Sequence, residues 1–297
     1  MRPVFTSALV MLASPRLGVL VSIPSPSSES IRVGPLNFTA YGLCIALGVG
    51  AAVWLSNRRW IALGGGPNDM SRIATFAVPA GVIGARLYHL ATDWRSYRGR
   101  WSEAFQIWNG GLGIWGGIAL GTIVGLLVAR RLRLPLPTML DVVAPALPLA
   151  QAIGRWGNWF NQELFGRPST LPWAVEISPA NRPTRYADVA TFHPTFLYES
   201  LWNIGVAIAV ILVGRTLGRG WKKGRLFALY VALYTFMRFF IERIRVDPAS
   251  RVWGLRINEW TSIVLFVCAL CFLVRAKQRT PVEEHAVEAG HSIDAAG

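Results

Sequence analysis

The sequence predicts an all-α polytopic membrane protein with seven transmembrane helices, an outside N-terminus, a cytoplasmic C-terminus and a small outer-face cap between helices 4 and 5. Three observations predict it. Of the 297 residues, 53% are hydrophobic and only 15% are charged, with a mean hydropathy of +0.38, where soluble domains carry about 25% charged residues. Seven apolar segments, roughly 39–57, 73–91, 110–130, 138–154, 194–214, 225–243 and 258–275, approach or reach the ~20 residues needed to cross hydrocarbon. Basic residues gather in short loops on one side of these segments.

In chain order, Met1–Leu20 is moderately apolar but broken by Pro3, Pro15 and Arg16. A weak signal-like segment or a surface helix would suit it; a poorly ordered extension suits it better. Ile23–Ser30 is a loop by composition. Residues 1–30 are therefore read as an N-terminal extension and loop, and 31–279 as one seven-helix membrane domain. The longest internal connection, 155–193, holds Pro168, Pro172, Pro179 and Pro183 around the apolar stretch Trp173–Ile177. It reads as a small cap with a short strand. The polar tail 280–297 is expected to be disordered and cytoplasmic.

Orientation follows from the basic residues of the loops. One set of short loops holds Arg58, Arg59 and Arg72, then Arg130, Arg131 and Arg133, then Arg215, Arg219, Lys222, Lys223 and Arg225, then Arg275, Lys277 and Arg279. These loops contain all three lysines and are assigned to the cytoplasm. The opposite loops carry as many arginines, but over nearly twice the length and mixed with Asp and Glu. Their excess reads as arginine gathered for phosphate, because a guanidinium matches phosphate with forked donors. The net charge of +14 points to anionic lipid as partner and not to nucleic acid, since no soluble domain is long enough to present a basic face. Cys44, Cys268 and Cys271 all lie in apolar segments, and the C-x-x-C at 268–271 lacks a second ligand pair.

The stretch Gly154–Gly166, GRWGNWFNQELFG, packs an arginine, two asparagines, a glutamine and a glutamate around three glycines at the end of an apolar segment. Unsatisfied polar groups at that depth cost several kcal/mol each. Arg155 stands where the fourth span leaves the membrane; alone it would be read as a snorkelling side chain. Asn158, Asn161 and Glu163 can hold its donors, and Gly154 and Gly157 allow close backbone approach. Arg238 and Glu242 lie i, i+4 on the sixth span and can pair there, with Tyr234 one turn earlier on the same face. Tyr41-Gly42 stands at the outer start of the first span, Gly84-Ala-Arg86-Leu-Tyr88-His89 at the outer end of the second, Gly110–Gly117 at the start of the third, and His193-Pro-Thr-Phe-Leu-Tyr198-Glu199 at the start of the fifth. Every patch falls at the outer end of its span, where independent anchors would scatter over both faces. There is no nucleophile elbow, no zinc-ligand spacing and no phosphate-binding loop in the sequence. A metal site and a cofactor are not expected.

GRWGNWFNQELFG closely resembles the signature of the bacterial prolipoprotein diacylglyceryl transferases, and so do Tyr41-Gly42, Gly84-Ala-Arg86, the Gly-Gly patch at 110–117, Asp141-Val-Val-Ala-Pro, His193-Pro and Arg238…Glu242. The resemblance runs in order from about Ile23 to about Arg275. It implies seven spans with an outward N-terminus, in the bacterial plasma (inner) membrane, with the active site toward the outer leaflet. It also implies transfer of the diacylglyceryl group of phosphatidylglycerol to the lipobox cysteine in the signal peptide of a prolipoprotein. Carried over by position, Arg155, Arg238, Tyr41, Asn158, Glu163 and Glu242 would be catalytic. Arg155, Gly157, Gly166, Arg86, Tyr234 and His193 would bind phosphatidylglycerol. One position departs from the family: well-known members carry a histidine before the Gly-Gly of the third span, where this chain has Trp115. A transporter for an anionic solute and a membrane-assembly protein are the rival classes. The first would place polar groups along a path through both leaflets, and the second would tolerate loss of Arg155.

Overall fold

A computed structural model of the chain describes residues 22–26, 28–33, 36–106, 111–217, 221 and 223–275. The expected extension Met1–Leu20, the tail from Thr280, and Gly110, Arg219, Lys222, Lys277 and Arg279 lie outside the described residues.

The described chain is mostly helical: α1 (Ala40–Ile61), α2 (Asp69–Thr92), α3 (Ile114–Arg131), α4 (Leu136–Val143), α5 (Ala146–Phe160), α6 (Thr195–Thr216), α7 (Arg225–Ile244) and α8 (Ile257–Arg275). Five of these, α1, α2, α3, α6 and α8, are long and apolar enough to cross a membrane, and α4 with α5 makes a sixth when the bent pair is taken as one span. Helix α7 has 20 residues, about 30 Å of length, but Arg225, Arg238, Glu242 and Arg243 keep it outside that set. Large apolar side chains such as Leu47, Ile83, Leu127, Leu201 and Val274 stand exposed along the helices. An apolar surface of that extent fits a bilayer and not water.

The fourth apolar segment was expected as one helix. It is two, bent by 40°, because Pro145 at the junction has no N–H to donate and its ring crowds the preceding turn. Helix α5 then runs on to Phe160. Residues 155–160, read from sequence as part of the cap, are therefore helical, and the cap begins at Asn161.

Glycine sets the closest helix contacts. A Cβ on Gly84 of α2 would lie 2.3 Å from the carbonyl oxygen of Gly116 on α3, so these backbones touch as only small residues allow. Helix α1 lies on α5 in a similar way, with Tyr41 against Gly157. Helix α6 packs on both α5 and α7, and α7 on α8. Three helix starts are capped by side chains. Thr39 Oγ1 accepts from Gly42 N at 3.1 Å to open α1. The Asp141 carboxylate on α4 accepts from Gly224 N at 2.7 Å and Phe227 N at 3.1 Å to open α7, meeting donors that a helix start leaves unpaired. Glu259 accepts from Arg256 N at 2.7 Å to open α8.

The cap, residues 161–194, holds an antiparallel pair, β3 (Val175–Glu176) with β4 (Thr191–Phe192), and the expected strand within Trp173–Ile177 is β3. Its core is Phe165, Val175, Ile177 and Phe192, closed by Phe196 of α6 and Val246 after α7. Residues 22–26, read as loop, lie along β3: Ile23 N donates to Ala174 O at 2.8 Å and Glu176 N to Ile23 O at 2.9 Å. Two hairpins have no counterpart in the sequence reading. One pairs β1 (Ser30–Val33) with β2 (Leu36–Thr39). The other pairs β5 (Arg251–Val252) with β6 (Leu255–Arg256) through Trp253 and Gly254, whose φ angles of 49° and 81° are those of a tight two-residue hairpin turn.

Candidate active site

The signature stretch folds as the last two turns of α5 followed by a strained turn. Gln162 and Leu164 adopt positive φ angles of 50° and 58°, a conformation that costs energy for side chains other than glycine. Local bonds hold it. Gln162 Oε1 accepts from Ser178 N at 2.7 Å and from Ser25 Oγ at 3.1 Å, and Thr195 Oγ1 donates to Leu164 O at 2.6 Å. The turn brings Glu163 back over the helix, where its Oε1 accepts from Asn158 Nδ2 at 3.0 Å and Asn161 Nδ2 at 3.2 Å. Asn158 Oδ1 in turn accepts from Arg155 Nη1 at 3.3 Å. Glu163 thus reaches the arginine through Asn158, where the sequence reading had it hold the arginine directly.

The carboxylate that does hold Arg155 is Glu199 on α6, at 2.7 Å from Nη2. The same oxygen, Oε2, lies 3.3 Å from Nη1 of Arg238. One buried carboxylate, 4% exposed, therefore joins the two arginines across three helices. The His193–Glu199 pattern in the sequence gives Glu199 no role of its own. A signal existed: a glutamate in the second turn of an apolar helix needs a buried partner.

Arg238 continues the chain of charge, with Nη2 at 2.8 Å from Glu242 Oε2. Glu242 is 1% exposed and also meets Arg256 Nη1 at 2.8 Å, Arg245 Nη1 at 3.4 Å and Asn258 Nδ2 at 3.3 Å. Asp247 binds Arg245 through both its oxygens, at 2.7 and 2.9 Å. Arg245 and Asp247 lie just beyond α7 and Arg256 on β6, three positions to which the sequence motifs give no role. So two of the expected site residues, Arg155 and Arg238, face each other, with Glu199 between them and Glu242 anchoring the second.

Tyr41 packs on Gly157 and lies within electrostatic range of Arg155 and Glu163. Tyr234 is one turn before Arg238 and within electrostatic range of it. The other expected residues make contacts of their own. Arg86 donates to Gly111 O at 3.0 Å and lies over the Tyr97 ring at 5.4 Å, within the α2–α3 unit. His193 Nδ1 is 3.1 Å from the Tyr198 hydroxyl. Gly166 lets the cap dock: its N–H donates to His193 O at 2.9 Å, it bridges to Arg245, and a Cβ there would meet His193 Cβ at 2.7 Å and Ile244 O at 3.4 Å. Trp115 stands half-exposed on α3. Among the described residues no three His, Cys, Asp or Glu side chains gather as metal ligands.

The arrangement offers two guanidinium groups joined by one buried carboxylate, Glu199. Such a pair binds a phosphate and stabilises charge as it grows on the phosphate oxygens. The profile of the family described as prolipoprotein diacylglyceryl transferase matches residues 28–275. A Streptomyces coelicolor protein named phosphatidylglycerol–prolipoprotein diacylglyceryl transferase 2 is 52% identical over 265 residues, covering 88% of this chain and 83% of its own. Proteins of the same name without a number are 50% identical over 272 residues in Streptomyces griseus, covering 91% and 82%, and 47% identical over 264 residues in Cutibacterium acnes, covering 87% and 88%. With the signature arginines joined at one end of an apolar helical body, and matches that run nearly end to end, the chain belongs to the prolipoprotein diacylglyceryl transferase family.

Proposed function

We propose that this protein transfers the diacylglyceryl group of phosphatidylglycerol to the lipobox cysteine of a prolipoprotein signal peptide. It does so from the outer leaflet of the bacterial plasma membrane. The observation that carries the reading is the Arg155–Glu199–Arg238 bridge. The reaction is a displacement at carbon: the cysteine sulfur forms a bond to the terminal glyceryl carbon, the bond from that carbon to the phosphate oxygen breaks, and glycerol 1-phosphate leaves with the electron pair. No acyl-enzyme and no enzyme nucleophile are needed.

Arg155 and Arg238 grip the lipid phosphate and meet the charge that concentrates on it as the bond breaks. Glu199 and Glu242 fix their donors, and Asn158 with Glu163 fixes the second arm of Arg155. The thiol has an unperturbed pKa of about 8.5, so only a few per cent is ionised at neutral pH. The same arginines favour the thiolate. Glu163, one amide away from Arg155, is placed to accept the proton.

Seven spans fit this scheme, with α4–α5 as one bent span and α7 as the span whose charges face the site. The N-terminus then lies outside and the C-terminus inside, and the ends bearing Tyr41, Asn158, Glu199 and Glu242 share the outer leaflet. The test is direct. Purified protein in nanodiscs with labelled phosphatidylglycerol and a lipobox peptide yields a thioether-linked product and glycerol 1-phosphate. No transfer by folded protein, or acyl transfer in place of a thioether, overturns the reading.

A further inference from the structure

Inward of the arginine pair lies a second polar group that the phosphate chemistry does not use, about one helical turn away on α5 and α6 and about two on α7. Helices α5 and α7 run outward and α6 runs inward, so four residues before Arg155, four after Glu199 and eight before Arg238 fall on the same inward side. Those positions are Gln151, Asn203 and Tyr230. Gln151 Nε2 donates to the Tyr230 hydroxyl at 3.0 Å, which joins α5 to α7. Asn203 is 2% exposed and Tyr230 7%. Two atoms of this group, Gln151 Oε1 and Asn203 Oδ1, are buried without a hydrogen-bond partner. Buried carboxamide oxygens without a partner are uncommon and need an explanation, which a bound group can supply.

Depth identifies the partner. In a phospholipid lying with its phosphate on Arg155 and Arg238, the glycerol backbone and its two ester groups sit just inside the phosphate. A helical turn rises 5.4 Å, about the distance from the phosphorus of a phospholipid through its glycerol to an ester carbonyl. Gln151 and Asn203 stand at the level of the esters, with the Tyr230 hydroxyl meeting Gln151, and a carboxamide presents either its C=O or its NH2 arm by rotating half a turn. We propose that this group reads the ester carbonyls of the lipid donor. A half-turn of the Gln151 amide lets the Tyr230 hydroxyl donate to Oε1 and turns Nε2 to donate to one carbonyl, and the same half-turn at Asn203 turns Nδ2 to donate to the other. The reacting carbon lies between the phosphate and the esters, so holding both fixes that carbon in line for the thiol. Gln151 and Asn203 are positioning residues in this scheme, which rests on the transferase reading above.

The test compares diacyl phosphatidylglycerol with its dialkyl ether analogue, in which each carbonyl is a methylene, both offered with the same lipobox peptide. Wild-type protein should use the diester with at least about tenfold higher kcat/KM, from two hydrogen bonds each contributing about three- to tenfold. Gln151→Met and Asn203→Leu should each lose about three- to tenfold on the diester and little on the diether, so that the preference shrinks. Equal use of the two lipids by the wild type overturns the proposal with no variant needed. Equal losses on both lipids also overturn it, since they would show a purely packing or water-holding role. If a variant does not fold, the wild-type comparison alone decides. No thioether from the diester by folded wild type would instead sink the transferase reading.

Discussion

Replacing Arg155 by lysine keeps the charge and removes the fork, which makes it the sharpest probe of the site. Arg155 uses two different nitrogens on two partners: Nη2 on Glu199 at 2.7 Å and Nη1 on Asn158 at 3.3 Å. A lysine has one nitrogen on a flexible stem. It can keep Glu199, but then it loses Asn158 and one of the two contacts that a guanidinium makes to phosphate. A charge-assisted bond contributes about 1.5–3 kcal/mol. Losing one such bond in the transition state, together with the alignment that Asn158 provides, should cost about 3 kcal/mol, or roughly a hundredfold in kcat/KM at 1.36 kcal/mol per decade. The assay is thioether formation by purified R155K, alongside R155A and wild type. Fold should survive, because Glu199 retains Arg238, and the unfolding midpoint in micelles should move by no more than about 4 °C. R155K within about threefold of wild type would refute the forked-contact argument.

Three further outcomes follow from the same geometry. Glu242→Gln leaves three arginines short of their shared carboxylate and should destabilise by about 3–5 kcal/mol, lowering the unfolding midpoint by about 10 °C; an unchanged midpoint would contradict the anchoring role. Gly166→Ala forces a Cβ to within 2.7 Å of His193 Cβ and should cost about 1–3 kcal/mol, seen as faster proteolytic cutting inside 161–194; wild-type resistance would show that the cap yields freely. Trp115 is 47% exposed, so Trp115→Ala should leave kcat/KM within about twofold, as expected of a lipid-facing side chain. A tenfold loss would give Trp115 a part in the reaction.

What could be read in the sequence was what is local along the chain. The apolar segments, the i, i+4 pair Arg238–Glu242 and the glycine-rich turn with its polar residues depend on neighbours a few positions away. Glu199 was passed over because its partners lie 44 and 39 positions away on α5 and α7, and Arg256 because its partner Glu242 is on the far side of a hairpin. The bend at Pro145 could have been inferred, since a proline inside a helical pattern ends or kinks it. The β5–β6 hairpin was harder: Trp253 takes a positive φ, which a bulky residue rarely does, so its turn did not look like one. Gly166 was assigned to the lipid, but its close contacts are with His193 and Ile244, a packing constraint that a motif alone does not distinguish from a binding one.

The ion-paired chain also carries an argument about turnover. It joins four arginines, 155, 238, 245 and 256, to three carboxylates, Glu199, Glu242 and Asp247, an excess of one positive charge. A phosphodiester carries one negative charge and balances it. A phosphate monoester carries about two near pH 7, so the product overfills the site and its release is favoured in a surround where unbalanced charge is costly. Glu199→Gln removes one carboxylate without removing side-chain volume. The excess becomes two, which suits the product better than the substrate. Glycerol 1-phosphate should then inhibit E199Q more tightly than wild type, by about tenfold or more for one added charge at this range, while kcat falls because neither arginine is held from α6. An inhibition constant that is unchanged or weaker would mean that Glu199 sets the geometry of the arginines without setting the charge balance that expels product.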